Sequence, residues 1–298
     1  MPIDLKNTAI LNGLFLALFA SFMFSLKTIF IKQAYDMGIE SSGLMLLRMW
    51  FAFPFYAVIL FMQRKALWEK RQYILSILTI GFLGYFLSSY LDLLALETIS
   101  AQAERIILYA YPSIVVLLKA ISDKKMPSPR MLTALAVVYM GLLFLLPGEL
   151  NIEGSAFGLT LMLICACTFA FYVFFSKPLI EKVGISLFTS TAMVSSCLFT
   201  QVNLIKVDAT QLLNYSHEIY ILALGLAFFC TVLPSYAMNA AIAKIGPEKV
   251  AIAGTTGPIF TVILAVIILG ETMSIYHGAG LTLVMIGVYL LKPKKIKN

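Results

Sequence analysis

Five charged side chains interrupt long apolar stretches of this 298-residue sequence: Lys27, Arg48, Asp92, Glu104 and Arg105. A charge placed in the hydrocarbon of a bilayer costs about 2.5–3.5 kcal/mol on insertion scales, so such residues usually face a cavity and pair with one another. Two acids can neutralise two of the three bases. The set therefore predicts a net positive cavity or a site for a substrate carboxylate, with closed ion pairs between helices as the alternative.

Polar side chains also recur at helical spacing within three apolar segments: Tyr85, Ser88, Ser89 and Asp92; Thr168, Tyr172 and Ser176; and Thr231, Ser235 and Asn239. Residues three or four positions apart share one face of a helix, so each stripe should face inward. Hydroxyl groups are also common contacts between membrane helices, which leaves a lining role and a packing role open.

Aromatic and proline residues add to the candidate site. Flat amphipathic walls would come from Tyr90, Tyr109, Tyr111 and Tyr236, although aromatic residues in a span also serve packing or anchor it at the interface. Pro112 and Pro258 interrupt backbone hydrogen bonding within apolar segments, and the carbonyl groups they release need another partner in lipid. Water or a substrate would supply that partner, unless the prolines are kinks that packing tolerates.

The composition requires a membrane around these residues. Hydrophobic residues make up 60% of the chain and charged residues 12%, against roughly 25% charged residues in soluble domains. The net charge of +7 resides mostly in short connections between apolar runs, so it predicts helix orientation and no nucleic-acid partner. The pattern holds no metal-binding or catalytic motif, and we expect no enzyme activity, metal site or cofactor.

Ten membrane spans are expected, which makes the fold an all-α integral membrane protein. Their approximate ranges are 8–31, 42–62, 73–95, 101–121, 131–146, 155–176, 185–205, 219–241, 250–270 and 275–291. Sixteen of the 22 Lys and Arg residues fall in connections on one side, and only Lys32 and Lys206 fall on the other. Because basic connections stay in the cytoplasm, both termini are predicted to be cytoplasmic.

The two halves of the sequence repeat. Adding 146 to a number in the first half aligns Tyr90 with Tyr236, Pro112 with Pro258 and Gly141 with Gly287, among other pairs. Five spans per copy place the second copy upside down relative to the first. We therefore expect two inverted five-helix repeats, residues 1–148 and 149–298, which enclose a site near the middle of the membrane.

The segment SSYLDLLALETISAQAERIILYAYP, Ser88–Pro112, and its repeat around Ser235–Pro258 resemble transporters of the drug/metabolite transporter superfamily, EamA type. Arg48 in the second span and Gly270-Glu271 after the ninth also fit, whereas Lys124-Lys125 stands where many relatives carry Gly-Glu. The resemblance implies a secondary transporter of small solutes in the bacterial inner membrane. It leaves the cargo, the direction of transport, proton coupling and a homodimer open.

Mixed charge together with aromatic residues favours a small polar or amphipathic metabolite, such as an amino acid or a derivative. An exporter of drugs or organic cations is the alternative within transport, and a channel or an intramembrane enzyme is the alternative outside it. The expected partners are thus a small-molecule substrate and the lipid bilayer, and protons and a second copy of the chain are left open.

Glu104 and Asp92 are the candidates for proton coupling, and Glu104 is the favoured one. Burial raises the pKa of a carboxyl group and a nearby base lowers it, so the surroundings of the group set the pH at which it takes up a proton. Replacement by glutamine removes the titration, so Glu104→Gln should abolish pH-driven uptake into liposomes. Unchanged proton-dependent flux in this variant would refute the assignment.

Overall fold

The computed structural model describes residues 5–96, 98–99, 107–145, 156–205, 207, 209–257, 259–260, 263–264 and 275–291. Its regular structure over these ranges is helical. The helices are α1 Leu5–Asp36, α2 Ser41–Met62, α3 Arg64–Glu69, α4 Ile74–Gly81, α5 Ser88–Leu96, α6 Tyr111–Asp123, α7 Pro129–Leu145, α8 Ala156–Val183, α9 Ile185–Thr200, α10 Ala209–Leu212, α11 His217–Ala227, α12 Leu233–Ile245, α13 Pro247–Gly254 and α14 Ile275–Tyr289.

Two of the long helices change geometry in the middle. A π-helical turn, Phe82–Leu87, joins α4 to α5, and a second one, Phe228–Val232, joins α11 to α12. The two turns begin 146 residues apart, which is the spacing of the sequence repeat. Each combined helix is therefore continuous and has a local bulge at the π turn.

Within the described ranges, six helical stretches are long and apolar enough to cross a membrane: Thr8–Lys27, Ser42–Met62, Arg71–Asp92, Ala156–Val183, Ile185–Ile205 and His217–Ile245. They correspond to the first, second, third, sixth, seventh and eighth predicted spans. α6, α7, α13 and α14 overlap the remaining four predicted spans, of which the structure describes only a part in three cases and which are represented by shorter helices over the described residues. The first helix continues to Asp36, so Lys32 lies in its last turns and not in a connection as predicted.

Large apolar side chains cover the outside of the helices. The exposed fractions of Phe61, Leu75 and Ile205 are 68%, 76% and 85%. Burying such side chains is strongly favourable in water, so their exposure over many helices indicates a hydrocarbon environment. The protein is therefore a multi-pass membrane protein.

Helices from the two halves of the chain pack against each other. α1 packs on α12 and α13, whereas α8 packs on α5 and α6. The contacts are reciprocal: Gly13 lies against Ile245 and Gly158 lies against Ile99. The two isoleucines are 146 residues apart, which is the spacing of the repeat, and the two glycines are 145 apart. α8 and α12, which both belong to the second half, also contact one another.

α7 and α14 show the same reciprocity at their interface. A Cβ at Gly141 would lie 2.7 Å from Val284 Cγ2, and a Cβ at Gly287 would lie 2.5 Å from Val138 Cγ2. Each glycine also faces a backbone carbonyl of the opposite helix, Gly280 or Ala134, at 2.9 Å from the same point. Small residues that allow close backbone approach are typical of contacts between membrane helices.

Replacing Gly287 by alanine should separate these two helices. The new methyl group would meet Val138 and the carbonyl oxygen of Ala134, and overpacking of this kind costs about 1–3 kcal/mol. We expect Gly287→Ala to lower the melting temperature of the purified protein. Gly278→Ala on the same helix is the matched control, since its Cβ would meet no atom within 4 Å; equal melting temperatures for the two variants would contradict the interface.

Candidate functional site

A buried hydrogen-bond network centred on Tyr172 joins four helical stretches. The Tyr172 hydroxyl on α8 donates to Asn239 Oδ1 on α12 at 2.7 Å and lies 2.8 Å from the Tyr85 hydroxyl in the first π turn. Asn239 Nδ2 donates to Thr189 Oγ1 on α9 at 2.9 Å. Tyr172 and Asn239 are fully buried. The stripes predicted on the third, sixth and eighth spans thus meet at one point.

A second set of polar contacts continues from this network along α12. Tyr236 and Ser190 share a hydrogen bond of 2.7 Å, and Tyr56 on α2 shares one of 2.9 Å with Ser235. The rings of Tyr56 and Tyr236 are 5.9 Å apart. The two sets together bring neutral hydroxyl and amide groups from α2, α8, α9, α12 and the first π turn into the centre of the bundle.

Aromatic rings surround the network. The rings of Tyr85 and Tyr172 meet edge to face with centroids 4.7 Å apart, and Phe169 and Phe188 lie 6.1 and 6.4 Å from Tyr172. Such geometry is favourable for aromatic pairs and leaves the hydroxyl group of each tyrosine for a polar partner. The site combines an apolar body with a few polar groups, which is the usual make-up of small-molecule sites.

The first π turn positions Tyr85. Gly84 in this turn lies directly against the Tyr172 ring, where any added Cβ would overlap the ring atoms. The extra residue of a π turn also shifts the following side chains around the helix axis, and such turns occur frequently at functional sites. The glycine and the bulge together allow Tyr85 and Tyr172 to approach.

Two of the predicted charged residues lie near the second π turn. Arg48 on α2 is only 8% exposed, and α2 and the helix that carries Lys27, α1, both pack on the second π turn. Asp92 is half-buried on α5. Glu104 and Arg105 lie outside the described residues. The two bases thus lie on helices that share one neighbour, the second π turn of the second half.

Several predicted polar residues take part in local contacts. Ser88 donates to the Gly84 carbonyl, Ser176 to the Tyr172 carbonyl and Thr231 to the Leu226 carbonyl, each within its own helical stretch. The ring of Tyr90 stacks on Phe86 with centroids 5.8 Å apart. Ser89 is half-buried on α5. For the three hydroxyl groups, bonding within the helix favours the packing interpretation.

Tyr111 contacts the interrupted ninth segment. Its hydroxyl donates to the Ala251 carbonyl at 3.0 Å, and its ring meets Phe169 edge to face at 5.0 Å. Tyr111 thereby connects α6 to α13 and, through Phe169, to the aromatic shell of the central network. Its contacts are those of a wall residue that also holds two helices together.

Three residues of the network were not predicted from the sequence: Tyr56, Thr189 and Ser190. Thr189 and Ser190 belong to a seventh segment rich in hydroxyl residues, ISLFTSTAMVSSCLFT, and the stripe criterion applied to it would have found them. Tyr56 stands alone among apolar residues in α2, and no spacing rule identifies it.

An ionic cluster lies at one end of α6, α8 and α13. Lys119 Nζ is 2.6 Å from Asp123 Oδ1 on α6, and Glu248 follows the connection between α12 and α13. The pKa of Glu248 is raised above its ordinary value, chiefly because the side chain is half-buried. Asp123 also raises it, whereas Lys119, Lys249 and Lys177 lower it. The cluster links helices of the two halves outside the apolar region. Among the described residues, no group of three His, Cys, Asp or Glu could hold a metal ion.

Comparison with known proteins identifies relatives along the whole chain. The model of the EamA-like transporter family matches residues 11–146 and, a second time, residues 156–292. A Bacillus subtilis (strain 168) protein named "Uncharacterized transporter YcbK" is 29% identical over 295 residues, which cover 96% of this chain and 94% of that protein. A crystal structure of a protein 15% identical aligns with a TM-score of 0.76 over 95% of this chain and 96% of the other, which shows a shared fold.

The Tyr172 network makes a quantitative prediction. Tyr172→Phe and Asn239→Ala each remove one partner of the same buried hydrogen bond, and such a loss costs about 1–3 kcal/mol. Because both changes break the same contact, the double variant should lose clearly less stability than the sum of the two. Thermal unfolding of the four proteins in detergent measures this; additive losses would show that the two side chains are not coupled.

Proposed function

Because the chain belongs to the EamA-like transporter family, we propose that it carries a small polar or amphipathic metabolite across the bacterial inner membrane by alternating access, with amino acids and their derivatives as the favoured cargo. The observation that carries this proposal is the convergence of Tyr85, Tyr172 and Asn239, from three helical stretches, on one buried point. Membrane transport itself follows from the family. The cargo and the mechanism are the parts that we propose.

The chemistry of the central network suits exchange of partners with a polar solute. Its hydroxyl and amide groups can each donate and accept hydrogen bonds, and none carries a formal charge. A solute that enters between the helices can replace one protein–protein hydrogen bond by one protein–solute bond at little net change in free energy. Aromatic rings around the network would bind the apolar part of an amphipathic solute.

The charged residues support an amphoteric cargo. Lys27 and Arg48 lie on two helices that pack on the second π turn, and either base can bind the carboxylate group of a solute. Asp92 and Glu104 would provide the acidic counterpart and, through Glu104, proton coupling. An organic cation would gain little from the two bases, which is why the metabolite is favoured over a cationic drug.

Alternating access requires two halves of similar construction that exchange conformations. Gly13 contacts Ile245 and Gly158 contacts Ile99, while Gly141 contacts Val284 and Gly287 contacts Val138. These reciprocal contacts support two inverted five-helix repeats, 1–148 and 149–298. The matching turns in the fourth and ninth segments add to this: Ala110 N bonds to Ile107 O at 3.0 Å, and Thr256 N bonds to Ala253 O at 3.1 Å. The proposed topology places both termini in the cytoplasm.

Reconstitution into liposomes tests the proposal. We expect saturable uptake of a labelled amino acid or derivative, accelerated by the unlabelled compound on the opposite side, since counterflow is a property of carriers. Asn239→Ala should reduce the rate at least tenfold, whereas Thr160→Ala should match the unchanged protein. Thr160 is exposed on α8 and its hydroxyl bonds only to the preceding turn at Ala156.

Two outcomes would overturn the proposal. An ohmic current without saturation would indicate a channel, and a panel of amino acids and derivatives that gives no counterflow, with organic cations that do, would indicate a drug exporter. Equal rates for Asn239→Ala and Thr160→Ala would move the binding site away from the Tyr172 network.

A further inference from the structure

The connection between the second and third spans brings basic and aromatic side chains to the surface of the membrane. The span that ends at Met62 and the span that begins at Arg71 are joined by α3 and the residues next to it. Four basic residues and one acidic residue lie in this stretch: Arg64, Lys65, Lys70, Arg71 and Glu69. The connection therefore carries a surplus of positive charge at the point where the chain leaves the hydrocarbon.

This positive charge is not neutralised by the described part of the chain. Among the residues that the structure describes, none of the four bases has a carboxylate oxygen within 4.0 Å. Arg64, Lys65 and Arg71 are exposed, and Lys70 is partly exposed. Clusters of bases directly beside a membrane span attract acidic lipids, because the headgroups of these lipids supply negative charge at the same depth.

Exposed aromatic rings lie among these bases. The exposed fractions of Phe61 and Trp68 are 68% and 71%. Arg64 Cζ lies 4.7 Å from the centre of the Phe61 ring, and Arg71 Cζ lies 5.0 Å from the centre of the Trp68 ring. Tryptophan is enriched at the level of the lipid headgroups because its ring is amphipathic. The two guanidinium groups therefore lie at the depth of lipid phosphate groups.

The second half of the chain contributes to the same surface. Lys182, in the last turn of α8, is exposed, and its Nζ lies 5.1 Å from the centre of the Tyr73 ring. Gln63 Nε2 donates to Ser186 Oγ, near the start of α9, at 2.7 Å. Because Arg71 and Tyr73 belong to one 3₁₀ turn, Arg71 and Lys182 reach the same few residues from opposite halves of the chain.

We propose that Arg71 and Lys182 bind the phosphate group of an acidic phospholipid, with Trp68 beside them at the headgroup level. An arginine side chain can donate two parallel hydrogen bonds to phosphate oxygens, and a lysine adds a compact positive charge. The ring beneath each cation orients it but leaves its charge unneutralised, so a phosphate adds to the cation–π contact and does not replace it. The bound lipid would connect the two halves of the chain at the membrane surface.

The mixture of exposed apolar and basic side chains favours a lipid over a soluble anion. A free phosphate ion would gain from the bases alone, whereas a phospholipid would also contact Phe61, Met62 and Trp68 through its glycerol and upper acyl carbons. Met62 is 75% exposed at the end of its span. A zwitterionic headgroup carries an amine that offsets the attraction of its phosphate to the bases. The site should therefore prefer lipids whose headgroup has a net negative charge.

The test measures lipid binding to the purified protein in a neutral detergent, and it does not depend on transport. We expect the melting temperature to rise saturably with added phosphatidylglycerol, as for any ligand of the folded state, and to rise less with phosphatidylcholine. Native mass spectrometry should detect more bound phosphatidylglycerol than phosphatidylcholine at equal concentration. Equal binding of the two lipids would overturn the proposal. A shift of the same size with inorganic phosphate would also overturn it, in favour of a site for soluble anions.

Paired variants locate the site. Arg71→Gln combined with Lys182→Gln removes both proposed cations from exposed positions and should weaken phosphatidylglycerol binding at least tenfold. Lys125→Gln combined with Arg130→Gln removes two charges from the connection between α6 and α7, and this control should bind as before. Trp68→Ala should also weaken binding of the lipid, and the protein should still fold because the ring is exposed. Equal losses in the two paired variants would show a general effect of charge and contradict the assignment.

Discussion

The obligation to pair every polar group inside hydrocarbon is the constraint on which this structure depends. Water is not there to accept the hydrogen bonds, so each hydroxyl, amide or freed carbonyl needs a partner within the protein or from a solute. The chain meets this demand in two ways. Ser88, Ser176 and Thr231 bond within their own helical stretches, whereas Tyr172 and Asn239 bond across helices.

The second way creates specificity. A hydroxyl that bonds to its own helix tolerates any neighbour, but the Tyr172 hydroxyl requires Asn239 and Tyr85 at fixed distances. Those positions in turn require Gly84 against the Tyr172 ring and the π turn around it. A solute that competes for the same hydrogen bonds would alter the contact between Tyr172 in the second half and Tyr85 in the first, and so link binding to the arrangement of the two halves.

The glycine contacts show how the duplicated sequence becomes a pair of matched interfaces. Gly141 and Gly287 each contact a valine of the opposite helix. A Cβ added to either glycine would also meet an equivalent backbone carbonyl group of that helix. The interrupted fourth and ninth segments share the same tight turn but differ in the side chains that donate hydrogen bonds to their carbonyl groups. In the ninth segment the donors are Tyr111 on α6 and, from α1, Ser21 and Ser25.

The sequence by itself determined the membrane class, six of the long spans and the three polar stripes, because hydrophobicity and helical period are local properties of the chain. It also identified Tyr85, Tyr172, Ser235 and Asn239 as candidates for one site. Only the tertiary structure decided that Tyr172 bonds to Asn239 while Ser88 bonds to its own helix, and that Tyr56 and Ser25 belong to polar clusters. Those choices depend on which helices are neighbours and at what height, and periodicity along one segment carries no information about the segment packed against it.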